Sequence, residues 1–193
     1  MIGVVVLDNI KSNGRAKPND IPRIPVQASP PYPPITVEGR NISYAQILSS
    51  DFAGSKGEMS AIYQYIYQSW ILQEQHPLIS ETLLRIAKVE MQHLNILGQL
   101  TIKLGGNPKC QFIQNRRSIV WNGSMVNYTQ NLQEMLKANM ADEQYAADMY
   151  MRHATMIQDG DISALLARLS LDELQHKSIF EGFLEQISET KTV

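Results

Sequence analysis

Two Glu-x-x-His sequences on the apolar faces of long helical patterns constrain this chain more than any other feature. Glu90 and His93 lie three residues apart, as do Glu173 and His176, so each pair projects from one face of an α-helix. Leucine, isoleucine and phenylalanine recur on the same faces. Burying a carboxylate and an imidazole in an apolar core is costly unless something compensates for their lost hydration. A bound metal ion does so, and the pattern therefore predicts a metal site inside a helical fold.

Four long helical patterns follow residue 41 and contain almost no proline. We predict helices over Ser43–Gln75, Pro77–Leu104, Asn127–Gln158 and Asp161–Ile187. Short links join the first helix to the second and the third to the fourth, whereas residues 105–126 form a long connection between the two pairs. This connectivity is typical of ferritin-like bundles. The sequence therefore predicts an all-α fold, a ferritin-like antiparallel four-helix bundle with a long crossover between helices 2 and 3.

The two remaining helices each supply one acid on their apolar face, Glu58 and Glu143. In each predicted hairpin, this acid and the glutamate of the Glu-x-x-His pair lie at equal distances from the link. The midpoint of Glu58 and Glu90 is residue 74, at the first link, and the midpoint of Glu143 and Glu173 is residue 158, at the second. All four acids are therefore expected in one layer. Two glutamates and two Glu-x-x-His pairs form the ligand set of a carboxylate-bridged dinuclear site for two iron or manganese ions. The predicted ligands are Glu58, Glu90, His93, Glu143, Glu173 and His176.

Two tyrosines accompany this set. Tyr65 follows Glu58 by seven residues, and Tyr150 follows Glu143 by the same spacing. Seven residues are about two helical turns, so both side chains point inward with the acids. We expect their hydroxyl groups to hydrogen-bond carboxylates, which makes them the candidate catalytic residues. The alternative is that they are ordinary core tyrosines.

The first 40 residues have a different character. Seven of the nine prolines lie between Pro18 and Pro34, and each proline fixes φ and removes a hydrogen-bond donor, so this segment is expected to be extended. We divide the chain into a Pro-rich N-terminal arm, residues 1–40, and a bundle domain, residues 41–193. The apolar start, Ile2–Leu7, is expected to contact another subunit. Deleting residues 1–34 is then expected to reduce the oligomeric state and leave the metal content unchanged.

A second contact between subunits is predicted on the first helix. Tyr63, Tyr67 and Trp70 form an aromatic stripe away from Glu58, and exposed apolar patches usually mark contacts. We therefore expect a homo-oligomer that forms through the arm and the first helix.

Composition excludes several other classes of protein. A net charge of −2 without a basic run argues against a nucleic-acid partner. A single cysteine excludes an internal disulfide framework and a thiolate-cluster metal site. No apolar run approaches the roughly 18–20 residues of a membrane span, and the N-terminal residues do not form a signal sequence. The expected location is the cytoplasm.

About residues 43–187 resemble the ferritin-like superfamily. Residues 57–70, Gly-Glu-Met-Ser-Ala-Ile-Tyr-Gln-Tyr-Ile-Tyr-Gln-Ser-Trp, most resemble the first bundle helix of manganese catalases and their spore-coat relatives. The Ala-Asp-Glu-Gln segment at 141–144 is similar to their third helix, while the overall ligand set is rubrerythrin-like. If the site is rubrerythrin-like, the resemblance implies that Glu173 binds metal directly. If the site is catalase-like, the resemblance implies that Glu173 contacts a ligand and does not bind metal itself. It implies direct metal ligation by Glu58, Glu90, His93, Glu143 and His176.

The resemblance also implies features around the ligands. In ferritin-like proteins an acid at the position of Asp172 accepts a hydrogen bond from the histidine opposite, here His93. The equivalent position before Glu90 is Val89, so His176 must find another partner. Rubrerythrins carry an additional glutamate where this chain has Ala146, and manganese catalases carry an arginine where it has Asp142.

Three functions are compatible with such a site. The first is redox chemistry on hydrogen peroxide or dioxygen, of the catalase or peroxidase type. The second is iron handling, in which the same centre oxidises ferrous iron. The third is a structural coat or lattice protein that retains the bundle, with a spore-associated location. The sequence leaves open whether the chain is an enzyme and whether its metal is iron or manganese.

Overall fold

Five α-helices dominate the computed structural model, which describes residues 23–190. They are α1 (Ile42–Ala53), α2 (Glu58–Leu72), α3 (Pro77–Lys103), α4 (Leu132–Met156) and α5 (Gly160–Thr190). Helix α2 pairs with α3, and α4 pairs with α5. Helices α2–α5 form the predicted four-helix bundle, and residues 104–131 form its long crossover. The predicted ferritin-like bundle is confirmed. None of the helices within residues 23–190 has the length and apolar character needed to span a membrane.

The first predicted helix is divided in two, because four residues with two glycines interrupt it. A Cβ atom on Gly57 would lie 2.4 Å from the carbonyl oxygen of Asp51, and one on Gly54 would lie 2.4 Å from that of Ser50. The backbone thus folds back on the end of α1. The Gly54 N–H donates to the Ser50 carbonyl over 2.8 Å, and the hydroxyl of Ser60 donates to the Gly54 carbonyl over 2.9 Å. This corner makes Glu58 the first residue of α2.

The third predicted helix begins five residues later than expected. The side chain of Asn131 accepts a hydrogen bond from the Glu134 N–H and so caps α4. The preceding Asn127 N–H donates instead to the Gln64 side chain over 3.0 Å. This bond ties the end of the crossover to α2 and keeps it out of the helix.

A small β-hairpin within the crossover was not predicted. Strand β1 (Gln111–Gln114) pairs antiparallel with β2 (Arg117–Val120). The two turn residues, Asn115 and Arg116, have φ values of 52° and 62°, as a type I′ turn requires. The hairpin packs on α1, and Trp121 beyond it donates to the Ser60 hydroxyl over 2.9 Å. The crossover is thereby fixed over the corner between α1 and α2.

Two apolar clusters fill the bundle, one on either side of the predicted ligand layer. The first contains Leu83, Phe180 and Phe183, together with residues from α2 and α4. The second contains Leu97 and Leu166, together with residues from α1 and α4. Both Glu-x-x-His sequences lie between residues of the two clusters. The ligand layer is therefore closed by apolar side chains at both ends.

The described part of the arm, residues 23–40, is extended and lies on its own bundle. Val26 is buried in the first apolar cluster at 7% exposure. The Glu38 N–H donates to the Asp159 carboxylate over 2.8 Å, and the Asn41 N–H donates to the Leu104 carbonyl over 3.0 Å. Residues 1–22, including Ile2–Leu7, lie outside the described residues. Contact of the arm with another subunit and the division at residue 40 stay predictions.

The aromatic stripe on α2 is only partly covered. Tyr67 packs against Tyr128 of the crossover with ring centroids 4.9 Å apart. Tyr63 is 39% exposed and Trp70 is 60% exposed. The predicted contact through this face has an available surface, and the homo-oligomer stays a prediction.

The corner between α1 and α2 is expected to tolerate no side chain at Gly57. Gly57→Ala should lower the free energy of unfolding by about 1–3 kcal/mol, because the added methyl group overlaps backbone atoms. Urea unfolding followed by circular dichroism measures the change. The matched control is Gly182→Ala in α5, where a Cβ meets nothing within 4 Å. That variant should be neutral or more stable, since alanine favours a helix; equal stabilities for both variants would contradict the account.

Candidate metal centre

The structure brings all six predicted ligands together in one buried layer of the bundle. One group contains Glu58, Glu90, His93 and Glu173, and the other contains Glu90, Glu143, Glu173 and His176. Within each group the candidate ligand atoms lie within 4.8 Å of one another. Two acids, Glu90 and Glu173, belong to both groups. The arrangement therefore has two halves that share two carboxylates.

Each shared carboxylate directs one oxygen to each half. Glu90 has Oε2 2.9 Å from His93 Nδ1 and Oε1 2.9 Å from His176 Nδ1. Glu173 has Oε1 3.0 Å from His93 Nδ1 and Oε2 3.3 Å from His176 Nδ1. A third acid faces each half: Glu58 lies 3.5 Å from His93 Nδ1, and Glu143 lies 3.8 Å from His176 Nδ1. Each half thus has one histidine, one acid of its own and two shared acids.

Several inward-facing atoms of these residues lack hydrogen-bond partners. They are both carboxylate oxygens of Glu90, Oε1 of Glu173, and Nδ1 of His93 and of His176. Buried polar atoms in proteins are normally hydrogen-bonded. Carboxylate oxygen and imidazole nitrogen are donors that suit iron and manganese. The residues present therefore fit two metal ions, one in each half.

Burial and the charges of the site raise the pKa values of two of its acids and of His93. Burial and the charge of Glu90 raise the pKa of both Glu58 and Glu143 well above its usual value. Burial alone would lower the pKa of His93, but the charge of Glu173 and the hydrogen bonds to neighbouring acids together outweigh it, so that pKa lies well above its usual value. Without metal, the site thus retains protons to balance its acids. Metal ions must displace these protons when they bind.

Tyr65 and Tyr150 each cross to the acid of the opposite helix. The Tyr65 hydroxyl donates to Glu143 Oε1, and the Tyr150 hydroxyl donates to Glu58 Oε1. Burial, together with the charge of the neighbouring acid, raises the pKa of both tyrosines well above 10. Both hydroxyl groups therefore remain protonated donors. The seven-residue spacing predicted a contact with a carboxylate but did not show this crossed pairing.

The outward nitrogens of the two histidines have different partners. His93 Nε2 lies 3.0 Å from Asp172 Oδ2, the pairing that the sequence suggested. Burial would raise the pKa of Asp172, but its hydrogen bond with His93 and others lower it to about 2. His176 Nε2 lies 2.8 Å from the carbonyl oxygen of Val26 in the arm. Because this acceptor is a backbone carbonyl, the identity of residue 26 does not reveal it. The only indication in the sequence was that Val89, at the position equivalent to Asp172, cannot accept a hydrogen bond from His176.

A cavity of about 180 Å³ leads to one side of the site. Its walls come from the loop between α1 and α2, from β1, and from α4. All four acids and both tyrosines line it, whereas His93 and His176 are absent from its described lining. Ala146, at the position of the additional glutamate of rubrerythrins, also lines it, so a small side chain leaves this space open. Small molecules can reach the acids from this side.

Two further pairs of polar side chains lie beside the cavity, and sequence reasoning missed both. Lys56 Nζ lies 2.5 Å from Asp142 Oδ1 and links the corner loop to α4. Asp51 Oδ2 lies 2.7 Å from His153 Nδ1, with both side chains buried. His153 belongs to neither group of candidate ligands, as its distance along α4 from Glu143 predicts. These pairs fasten α1 and its loop to α4.

Fold and site together define a ferritin-like helical bundle with a dinuclear carboxylate type of ligand cluster. The family model for rubrerythrin matches residues 53–184. The chain belongs to the rubrerythrin family.

Individual proteins are similar to this chain in sequence or in structure. A probable manganese catalase of Clostridium acetobutylicum is 23% identical over 171 residues, which cover 79% of this chain and 75% of that protein. The crystal structure of KatB, a manganese catalase from Anabaena, is similar with a TM-score of 0.74, 24% identity, and coverage of 84% of this chain and 80% of that one. Desulfovibrio desulfuricans bacterioferritin, a diiron protein, has a TM-score of 0.61 and 19% identity over 76% of this chain and 81% of its own. The structural likenesses establish the fold.

Removing one shared carboxylate is expected to empty both halves of the site. Glu90→Ala should bind neither ion, because the variant lacks the carboxylate that faces both histidines and would offset the charge of two cations. The measurement is elemental analysis after reconstitution with Mn(II) or Fe(II), in which the unaltered chain should hold two ions. Metal should also raise the melting temperature of the unaltered chain but not of the variant.

Glu81→Ala is the matched control for this experiment, since Glu81 is an exposed glutamate on the same helix. It should retain two ions. Two ions bound to Glu90→Ala would contradict the bridging role.

Proposed function

We propose that the chain is a dinuclear manganese or iron protein that disproportionates hydrogen peroxide, an activity of the catalase type. The observation that carries this proposal is the placement of two shared carboxylates in the wall of a cavity. Glu90 and Glu173 each direct one oxygen to either histidine, and both line the cavity. A small molecule entering there meets both halves of the site at once.

The size and lining of the cavity favour peroxide over a larger substrate. A space of about 180 Å³ that is lined by four carboxylates admits a small polar molecule. Two bound metal ions would supply the exchange of two electrons that converts two peroxide molecules into dioxygen and water. Two relatives whose names include manganese catalase match about four fifths of the chain, which supports the same reaction.

The chain itself would hold and move the protons. Disproportionation removes two protons from one peroxide molecule and delivers two protons to another. Glu58 and Glu143 line the cavity, and each accepts a hydrogen bond from a tyrosine behind it. The carboxylate oxygens can accept a proton from one peroxide and return it to the next, while Tyr65 and Tyr150 keep those oxygens aimed. The apolar clusters at both ends keep other water away from the layer.

Oxygen evolution tests the proposal. Protein reconstituted with Mn(II), and separately with Fe(II), is given hydrogen peroxide in a closed oxygen-electrode cell. We expect one dioxygen for every two peroxide molecules consumed, at a rate well above that of the free ion, and no such activity from Glu90→Ala. Peroxide consumption no faster than with the free ion would refute the proposal. Oxidation of Fe(II) without oxygen evolution would favour iron handling, and a large regular assembly without either activity would favour the coat protein.

Tyr150→Phe is expected to separate catalysis from metal binding. The variant should keep two ions, because Tyr150 contacts Glu58 and not the metal positions. Its kcat should fall by about 10-fold or more, since a carboxylate that holds a proton has lost its aligned donor. Tyr63→Phe, at an exposed tyrosine on α2, is the matched control and should keep full activity. Unchanged turnover in Tyr150→Phe would remove this tyrosine from the proposed proton path.

A further inference from the structure

The Pro-rich arm lies directly behind the candidate metal centre, on the side away from the cavity. The carbonyl of Val26 meets His176, and the Ala28 N–H donates to Asp172 Oδ1 over 2.7 Å. The Tyr32 hydroxyl donates to Asp172 Oδ2 over 2.6 Å. Asp172 in turn faces His93 Nε2. Residues 26–32 therefore touch the outer partners of both candidate histidine ligands.

The contact with Val26 determines which nitrogen of His176 carries the proton. A carbonyl oxygen can only accept a hydrogen bond, so Nε2 must be the protonated nitrogen of the neutral ring. Nδ1 then keeps its lone pair and points at Glu90 and Glu173. Such a partner sets the tautomer and the orientation of a histidine that binds metal. The Val26 carbonyl thus prepares His176 for metal.

On the other half, the arm acts through Asp172. This carboxylate accepts hydrogen bonds from the Ala28 N–H and the Tyr32 hydroxyl. It also forms an ion pair with Arg168, whose Nη1 lies 2.9 Å from Oδ1. These donors hold the carboxylate in the orientation in which Oδ2 can accept from His93 Nε2. Unlike the Val26 carbonyl, however, Asp172 belongs to α5 and would remain without the arm.

Arg168 and the apolar core fasten the arm in this position. The Arg168 guanidinium donates to the Ala28 carbonyl over 2.9 Å and to the Pro30 carbonyl over 2.5 Å. It also lies over the Tyr32 ring, 4.4 Å from its centroid. The Val26 side chain is buried in the apolar cluster that contains Phe180 and Tyr65. Proline-rich chain loses little conformational entropy when it docks, so the segment is suited to hold its carbonyl in place.

We propose that residues 26–32 are positioning residues of the metal centre, and that they support the half containing His176 more than the half containing His93. The inference rests on the proposed dinuclear centre. The reason for the asymmetry is that no acceptor for His176 Nε2 other than the Val26 carbonyl is found among residues 23–190, whereas His93 keeps Asp172. The arm was expected from sequence to be unimportant for metal content. These contacts lead to the opposite expectation.

Two shortened chains provide the test. One begins at residue 35 and loses every contact that residues 26–32 make, and the matched control begins at residue 23 and keeps them. Each is titrated with Mn(II) against a competing chelator, and the stoichiometry is checked by elemental analysis. The control should bind two ions as the full chain does. The chain from residue 35 should hold about one ion, with its second site weakened at least 10-fold, as is typical when the partner of a histidine ligand is lost.

Electron paramagnetic resonance distinguishes positioning from simple destabilisation. Isolated Mn(II) gives resolved hyperfine lines, whereas a coupled pair does not give this signal. The chain from residue 35 should show the isolated signal, and the control should show the coupled one. Equal affinities and equal spectra for the two shortened chains would overturn the inference alone. Failure of the full chain to bind Mn(II) or Fe(II) would overturn the dinuclear centre and the inference together.

Single substitutions keep the test decisive if the chain from residue 35 does not fold. Val26→Gly removes the side chain that anchors the carbonyl, and Ile24→Gly removes a similar side chain that packs on the same cluster. Val26→Gly should weaken the second Mn(II) site at least 10-fold, while Ile24→Gly should change it by less than about 3-fold. A matching loss in both variants would show that the arm acts only through general stability.

Discussion

The need to neutralise four carboxylates inside an apolar bundle governs the rest of this structure. Each of these acids is expensive to bury unless its charge is compensated, and here the four lie around two histidines whose inward nitrogens lack hydrogen-bond partners. Without metal, protons retained by the two histidines, Glu58 and Glu143 offset part of the charge, because the pKa of each of these groups is raised. Two divalent cations would do so more completely. Metal binding and folding stability are therefore coupled through the same side chains.

The surroundings of this charged layer differ from side to side. Apolar clusters close both ends along the bundle. On one flank the acids and tyrosines of α2 and α4 face a cavity that is bordered by the corner loop and β1. On the other flank the arm covers the outer edges of the histidines. The open flank suits the entry of a small molecule, and the closed flank suits rigid support of the ligands.

The crossed tyrosine contacts join the two halves of the bundle. Helices α2 and α4 belong to different hairpins, yet Tyr65 binds Glu143 and Tyr150 binds Glu58. Each hydroxyl therefore links the position of one acid to the helix that supplies the other. A change in the separation of α2 and α4 would move both acids at once. The buried pair of Asp51 and His153 joins α1 to the same helix α4.

The ligand set was readable from sequence because its determinants are local. A three-residue spacing fixes a common helix face, and equal distances from a link fix a common height. The break before Glu58 was missed because the helical pattern of the sequence continues through Gly54 and Gly57. The helix ends there because the backbone at both glycines lies close against the end of α1. The carbonyl of Val26 lies 150 residues from His176 in sequence, and a backbone acceptor leaves no residue preference to detect. The sequence alone therefore determined the bundle and which residues meet in its core. Tertiary structure decided how each histidine is held and which flank is open. Those features depend on how distant segments of the chain pack together, which the periodicity within each segment does not specify.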